Sequence, residues 1–124
     1  PTTLIGQVTA TTPNGRDVGR NGYPLKITEL IAQLPGTSYV TRQSVHTPAT
    51  IRKCKKAIAK AFQAAMDKKG TSFVEVVSTC NMNWKMTPVK ANEWMVENMF
   101  PFYVPGDLKD SSKTDPESYT PLKN

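Results

Sequence analysis

Apolar residues fall in several rhythms along this chain, and the changes of rhythm mark out its elements. From Lys26 onward Ile27, Leu30, Ile31 and Leu34 recur at three- and four-residue spacing, which predicts a short helix that Pro35-Gly36 stops. Ser38 to Gln43 reads as a strand. Thr47-Pro48 then supplies an N-cap and a proline at the first helical position, opening a long helix that Gly70 ends. At about 100° per residue, Ile51, Cys54, Ile58, Ala61, Phe62 and Ala65 share one face of that helix; Arg52, Lys53, Lys56 and Lys60 lie on the other. The run Phe73-Val74-Glu75-Val76-Val77 is β-branched and aromatic, and predicts a buried strand within Ser72 to Ser78. Thr87-Pro88 repeats the cap-and-proline signal before a last helix from about Pro88 to Asn98, with Ala91, Trp94, Met95 and Met99 spaced to face a sheet.

Strand, helix and strand of these lengths make a βαβ unit, for which parallel strands and a right-handed crossover are strongly favoured, so the predicted class is α/β. The flanks are irregular. Residues 1–24 are rich in Thr, Gly, Pro and Asn, with turns at Pro13-Asn14-Gly15 and Asn21-Gly22-Tyr23-Pro24, and predict a long N-terminal loop. Beyond Pro101 the composition shifts to Pro, Asp, Ser and Lys, so the organisation expected is one unit over 1–106 and a flexible tail over 107–124 that orders only on a partner. Two parallel strands with three helices form a thin layer, because parallel sheets are covered on both faces and both edges. The chain therefore reads as part of a larger α/β domain or as a small complete one. The long loop without structure of its own favours the first, as an active-site loop whose scaffold lies elsewhere.

Length and charge narrow the partners. A chain of 124 residues with 38% hydrophobic content builds one core and not two. No apolar stretch approaches the roughly 20 residues needed to span a bilayer, and Pro1-Thr2-Thr3-Leu4 lacks the basic flank of an export signal, so no membrane is expected. Two cysteines, one of them on the apolar helix face, make no disulfide framework and point to a reducing, cytoplasmic setting. The net charge of +6 is local: residues 51–69 carry seven basic residues against Asp67 alone, while charges elsewhere cancel. That basic face is either a solvated surface or a dock for an acidic protein or nucleic acid. No aromatics interleave the lysines, which weakens single-strand binding.

Candidate chemistry is sparse. Cys80 stands where the second strand runs out into a loop, the end at which ligands of open α/β sheets gather. It reads as a structural thiol or as a ligand whose partners this chain does not supply. His46 is the single histidine and reads as a locally hydrogen-bonded residue ahead of the long helix. Gly15-Arg16-Asp17-Val18-Gly19-Arg20 departs from the phosphate-binding G-x-G-x-x-G pattern; Arg16 and Arg20 hold an anion or decorate a solvated turn.

Taken together, Pro1-Thr2-Thr3-Leu4-Ile5-Gly6-Gln7, Thr11-Thr12-Pro13-Asn14-Gly15-Arg16, Val77-Ser78-Thr79-Cys80-Asn81-Met82-Asn83-Trp84 and Thr87-Pro88 resemble the thiamine diphosphate-binding β subunit of 2-oxoacid:ferredoxin oxidoreductases. Glu93-Trp94-Met95-Val96-Glu97-Asn98-Met99-Phe100-Pro101-Phe102-Tyr103 looks most like the branched-chain, 2-oxoisovalerate type, with the 2-oxoglutarate type next. The resemblance covers residues 1 to about 106. It implies the C-terminal half of a thiamine diphosphate domain, since the family's Cys-x-x-Cys, Gly-Asp-Gly and Gly-Gly-Gln-Met segments would precede the point matching Pro1. It further implies an enzyme that decarboxylates a 2-oxoacid, passes electrons through iron–sulfur clusters to ferredoxin and releases an acyl-coenzyme A. The implied cofactors are thiamine diphosphate, Mg2+ and a [4Fe-4S] cluster, and the implied partners are the other subunits, ferredoxin, the 2-oxoacid and coenzyme A. On this resemblance Cys80 matches the position of a fourth cluster thiolate, and Thr2, Thr3 and Gln7 adjoin the cofactor cleft. No residue of this chain is expected to act as acid or base, and the isolated segment is expected to be inactive. The competing expectation is a small basic module that contacts nucleic acid or an acidic protein through helix 51–69.

Overall fold

A computed structural model of the chain describes residues 2–112, in which three strands form one sheet in the order β2-β1-β3. The elements are α1 (Val18–Asn21), α2 (Ile27–Ala32), β1 (Thr37–Ser44), α3 (Pro48–Met66), β2 (Thr71–Val77), α4 (Asn81–Trp84), α5 (Pro88–Trp94) running into a π-helical turn (Met95–Met99), and β3 (Gly106–Asp110). The βαβ unit is present as the pattern required. β1 and β2 pair in parallel, from Thr37 opposite Thr71 to Ser44 opposite Val77, with α3 as the crossover.

Local chemistry explains where α3 starts and β2 begins. Thr47 and Thr50 form a reciprocal cap: the Thr50 amide donates to Thr47 Oγ1 at 3.2 Å and the Thr47 amide donates to Thr50 Oγ1 at 2.9 Å, with Pro48 at the first turn. After the helix, Gly70 takes φ +118° and lies so close to the Gly36 carbonyl that a Cβ there would sit 2.4 Å from its oxygen. Only glycine allows this approach, which lets the Thr71 amide donate to that carbonyl at 2.9 Å and sets the register of β2 on β1.

Three expectations are corrected. The tail expected over 107–124 begins with structure: Asp107 to Asp110 belong to β3, antiparallel to β1, with Tyr39 opposite Asp110 and Arg42 opposite Gly106. The strand forms because polar side chains anchor it. The Tyr39 hydroxyl donates to Asp107 at 2.9 Å, the Thr41 hydroxyl donates to the Gly106 carbonyl at 3.1 Å, and Lys60 pairs with Asp110. The rest of that expectation, residues 113–124, lies outside the described residues. Secondly, α3 is rotated from the face its large apolar residues suggest. Cys54, Ala57 and Ala64 are buried against the sheet, whereas Phe62 is 68% exposed and Ile51 and Ile58 lie partly open. Small side chains let the helix approach the strands closely, so the alanine stripe wins the contact. Lastly, the loop after β2 contains a helical turn, α4, ended by Lys85 in the left-handed region.

The long N-terminal segment lacks extended regular structure, but it is tied down. Arg16 is buried; its Nε donates to the Gly22 carbonyl at 2.9 Å and a terminal nitrogen donates to the carbonyls of Asn21 and Tyr23 at 3.0 Å each. Its backbone bonds Gly6 and Gln7. Arg16 is thus a clamp on the loop's own turns rather than a free anion ligand, while Arg20 is exposed.

Candidate functional site at the carboxyl end of strand β2

The site is built around an apolar cluster of Val77, Met95, Met99 and Tyr103, against which Leu4, Trp84, Trp94, Phe100 and Phe102 pack. They come from four stretches of chain. Val77 ends β2, Met95 and Met99 lie in the π-helical turn, and Leu4 belongs to the N-terminal segment. Trp84 of α4 meets Trp94 of α5 with ring centroids 5.1 Å apart. The cluster therefore fastens the N-terminal segment and the turn carrying Cys80 to the same end of the sheet. The Ala10 amide, donating to the Asn83 carbonyl at 2.9 Å, adds a direct tether between them. The π-helical turn widens the helix where it meets β2, and such turns recur at functional sites.

The residues singled out from sequence occupy this end. Cys80 is exposed, directly N-terminal to α4, and its carbonyl accepts from the Trp84 amide at 2.9 Å. Cys54, by contrast, is buried under α3. Thr2 lies beside the end of β2 on a small cavity shared with Glu75, Val77, Ser78, Met99 and Tyr103. Thr3 is half-buried next to it in sequence. Gln7 is engaged locally: its side-chain oxygen accepts the Leu4 amide at 2.8 Å and closes the turn that carries Thr2 and Thr3 into place.

One group was missed from sequence. Arg42, in the middle of the central strand, has no exposed surface. Its Nε donates to Glu75 Oε2 at 2.5 Å and its two terminal nitrogens bond both oxygens of Glu29 at 2.8 and 2.6 Å. The Thr28 hydroxyl donates to the same Glu75 oxygen, and Arg42 lies over the Tyr103 ring, 5.2 Å from its centroid. The hydrogen bonds from Arg42 hold the Glu29 carboxyl below its ordinary range. Burial pushes the Tyr103 phenol up, with the Glu75 charge acting in the same direction, so this hydroxyl stays protonated and is available as a donor. The one sequence signal was a cationic residue in mid-strand, opposite Glu75 in the parallel register; the register itself supplies the pairing.

A fit test for the implied cofactors gives an incomplete set. Among the described residues no group of three or more His, Cys, Asp or Glu side chains is placed to hold a metal ion. Cys80 offers one accessible thiolate of the four that a cubane cluster takes, and Cys54 faces the sheet. The described residues thus form no cluster site and no Mg2+–diphosphate site by themselves.

The basic helix presents Arg52, Lys53, Lys55 and Lys56 to solvent. Lys60, expected among the outward charges, is drawn inward: it pairs with Asp110 and lies 4.4 Å over the Tyr39 ring. His46 bonds Ser44 Oγ through Nδ1 at 3.1 Å and meets Phe100 edge-on, a local role. No helix among the described residues is long and apolar enough to cross a membrane.

No protein-family model matches the chain, and no solved structure does. Two curated proteins are similar to it, both called ketoisovalerate oxidoreductase subunit VorA. The one from Methanothermobacter marburgensis (strain Marburg) is 40% identical over 117 residues, and the one from Methanothermobacter thermautotrophicus (strain Delta H) is 38% identical over 117 residues. Each match takes in 94% of this chain and 24% of the relative, so the chain spans about a quarter of the length of the curated relatives it matches.

Proposed function

We propose that this chain is a segment of a ketoisovalerate-type 2-oxoacid:ferredoxin oxidoreductase and forms the C-terminal half of its thiamine diphosphate-binding domain. The observation that carries this reading is the 38–40% identity to two ketoisovalerate oxidoreductase subunits across nearly the whole chain. The geometry agrees with it in kind. The two regions that the resemblance assigns to a cofactor, Thr2 to Gln7 and Cys80, are held to one end of the sheet by a common cluster and by the Ala10–Asn83 bond. That end is the carboxyl end of parallel strands, where open α/β sheets bind ligands.

In this reading the chain supplies one wall of the cleft and one ligand. Thr2 and Thr3 line the cofactor side, Gln7 holds their turn, and Cys80 completes a [4Fe-4S] cluster whose other three thiolates come from elsewhere in the longer protein. Thiamine diphosphate with Mg2+, when bound, supplies the decarboxylating chemistry, and the acyl group leaves on coenzyme A as ferredoxin takes the electrons. The setting is cytoplasmic, and this segment alone is inactive.

The test uses the intact oxidoreductase purified without oxygen. Cys80→Ser should remove close to one cluster, about four irons and four labile sulfides, per subunit and weaken the corresponding visible absorbance. Full iron and sulfide content in the variant would return Cys80 to a structural role. A wild-type protein that reduces no electron acceptor with any 2-oxoacid would overturn the function as a whole.

A further inference from the structure

Between α3 and the β1–β3 pair lies a groove of about 430 Å3, a volume within the range of small-molecule sites. One wall is a stripe of lysines from α3, Lys53, Lys56 and Lys60, at the three- and four-residue spacing that sets side chains on one helix face. The three are not equivalent. Lys60 pairs with Asp110 and lies over the Tyr39 ring, so its charge is spent within the fold. Lys53 and Lys56 are exposed and have no acidic partner among the described residues. Asp107 is the one carboxylate of the wall, and it accepts the Tyr39 hydroxyl at 2.9 Å. With three lysines against Asp107 and Asp110, the groove keeps a positive excess at Lys53 and Lys56.

Nothing on the helix offsets that excess. α3 carries no Asp or Glu from Pro48 to Met66, and Lys56 stands three residues from Lys53 and four from Arg52, spacings at which like charges repel. Packing does not require this repulsion, because Cys54, Ala57 and Ala64 make the buried face. Position adds to charge. α3 returns antiparallel to β1, so Lys60 stands by Tyr39 near the start of the strand, while Lys53 and Thr50 lie toward Ser44, its carboxyl end. Ligands of open α/β sheets gather at that end. The hydroxyls of Ser44 and Thr50 line the same part of the groove, and Lys60 covers the ring of Tyr39, the one aromatic residue in the wall.

We infer that this groove binds the diphosphate of a small molecule, with the Lys53 and Lys56 ammonium groups each donating to one phosphate. Their Cα atoms lie about 4.5 Å apart along the helix axis, and lysine binds phosphate as a point charge on a flexible stem. A base finds no free ring to stack on, so the phosphates and not an aromatic group carry the recognition. This site stands or falls apart from the function proposed above, since binding and not turnover tests it.

Titration calorimetry on the intact oxidoreductase takes ADP, AMP and pyrophosphate as probes. ADP should bind about tenfold or more tightly than AMP, which reaches one lysine. Lys53→Gln/Lys56→Gln should raise the Kd for ADP about tenfold or more, whereas Arg52→Gln/Lys55→Gln, which removes the same charge from outside the groove, should change it less than about threefold. All four side chains are exposed, so neither double variant threatens folding. Pyrophosphate weakened along with ADP assigns the site to the diphosphate alone; ADP bound and weakened without pyrophosphate adds a contact to the nucleoside. Equal weakening in the two variants would mean a diffuse basic surface of the kind an acidic protein meets, and would overturn the site. So would equal affinity for AMP and ADP, an unchanged Kd in Lys53→Gln/Lys56→Gln, or no binding of ADP or pyrophosphate, and none of these results bears on whether the enzyme turns over a 2-oxoacid.

Discussion

The two edges of the sheet are finished in opposite ways. At the β3 edge the chain closes itself with polar contacts that fix one geometry: Tyr39 to Asp107, Thr41 to the Gly106 carbonyl, Lys60 to Asp110, and Lys109 to Thr37 Oγ1 at 3.1 Å and the Leu34 carbonyl at 3.2 Å. Burial together with Asp107 pushes the Tyr39 phenol up to about 12, so it remains a donor throughout the physiological range. At the other edge, β2 pairs only with β1 among the described residues. Its sequence is that of an interior parallel strand, apolar on both faces, with neither proline nor lysine to blunt it. Beside it α3 leaves Ile58, Phe62 and Met66 open, over a shallow trough floored by Ala61, Ala65 and Val74. One edge is specified by directional bonds; the other carries interior composition without a cover. A longer protein that continues the sheet past β2 would reconcile the two.

Arg42 supports both edges from the central strand, and removing it should have the largest effect. Arg42→Met leaves Glu75 beside an apolar residue while Glu29, its side chain 36% exposed, turns to water, and breaking the buried Arg42–Glu75 pair costs about 3–5 kcal/mol, read from urea unfolding. A loss under about 1 kcal/mol would show that water reaches the network. The same pairing sets a pH dependence. Because the folded Glu29 carboxyl titrates below its unfolded value of 4.5, its contribution is complete above that pH and is lost as pH falls through the lowered folded value. Acid titration of stability should therefore steepen below about pH 4.5 in wild type and flatten there in Arg42→Met. Next in size is Gly70→Ala, which acts on the β2 edge alone. The added Cβ meets the Gly36 oxygen at a backbone φ that L-residues avoid, which should cost about 1–3 kcal/mol and speed amide exchange over Thr71–Val77 before it touches β3.

The β2 side of the molecule was legible in the sequence and the β3 side was not, for a physical reason. Phe73 to Val77 announces a strand through its own composition, although of the buried run expected there only Val77 is buried and Val76 lies open; Thr47-Pro48 and Thr87-Pro88 announce helix starts through caps that operate within four residues. Gly106 to Asp110 has no apolar alternation. Its strand exists because Tyr39, Thr41 and Lys60, all distant in sequence, offer partners to its polar groups. The candidate site divides in the same manner. Cys80 at a strand end could be read locally, whereas the cavity with Tyr103 and the burial of Arg42 depend on a register that brings residues 2, 42, 75 and 103 together. Likewise the apolar face of α3 was misjudged because side-chain size pointed to Phe62, whereas close packing on a sheet selects the alanines.

Smaller effects separate the edges further. Lys60→Met removes the ion pair with Asp110, which is partly solvent-screened, and should cost no more than about 1 kcal/mol. Lys60 also holds the Asp110 carboxyl below its ordinary value of 3.8, so the contribution is present above that pH and fades as pH falls through the lowered value; the variant and wild type should converge in stability in strong acid. The smallest effect in this chain belongs to Phe62→Lys, because a side chain already 68% exposed loses little contact when replaced, and the change should stay within about 0.5 kcal/mol. Its value lies in the contrast with the longer protein. If the sheet continues past β2, a helix or strand covers Phe62 there, and the same lysine should cost about 2 kcal/mol or more by burying an unpaired charge. Equal, negligible effects in both would mean that the β2 edge stays open in the whole molecule, and that its interior composition serves contact with a separate partner instead.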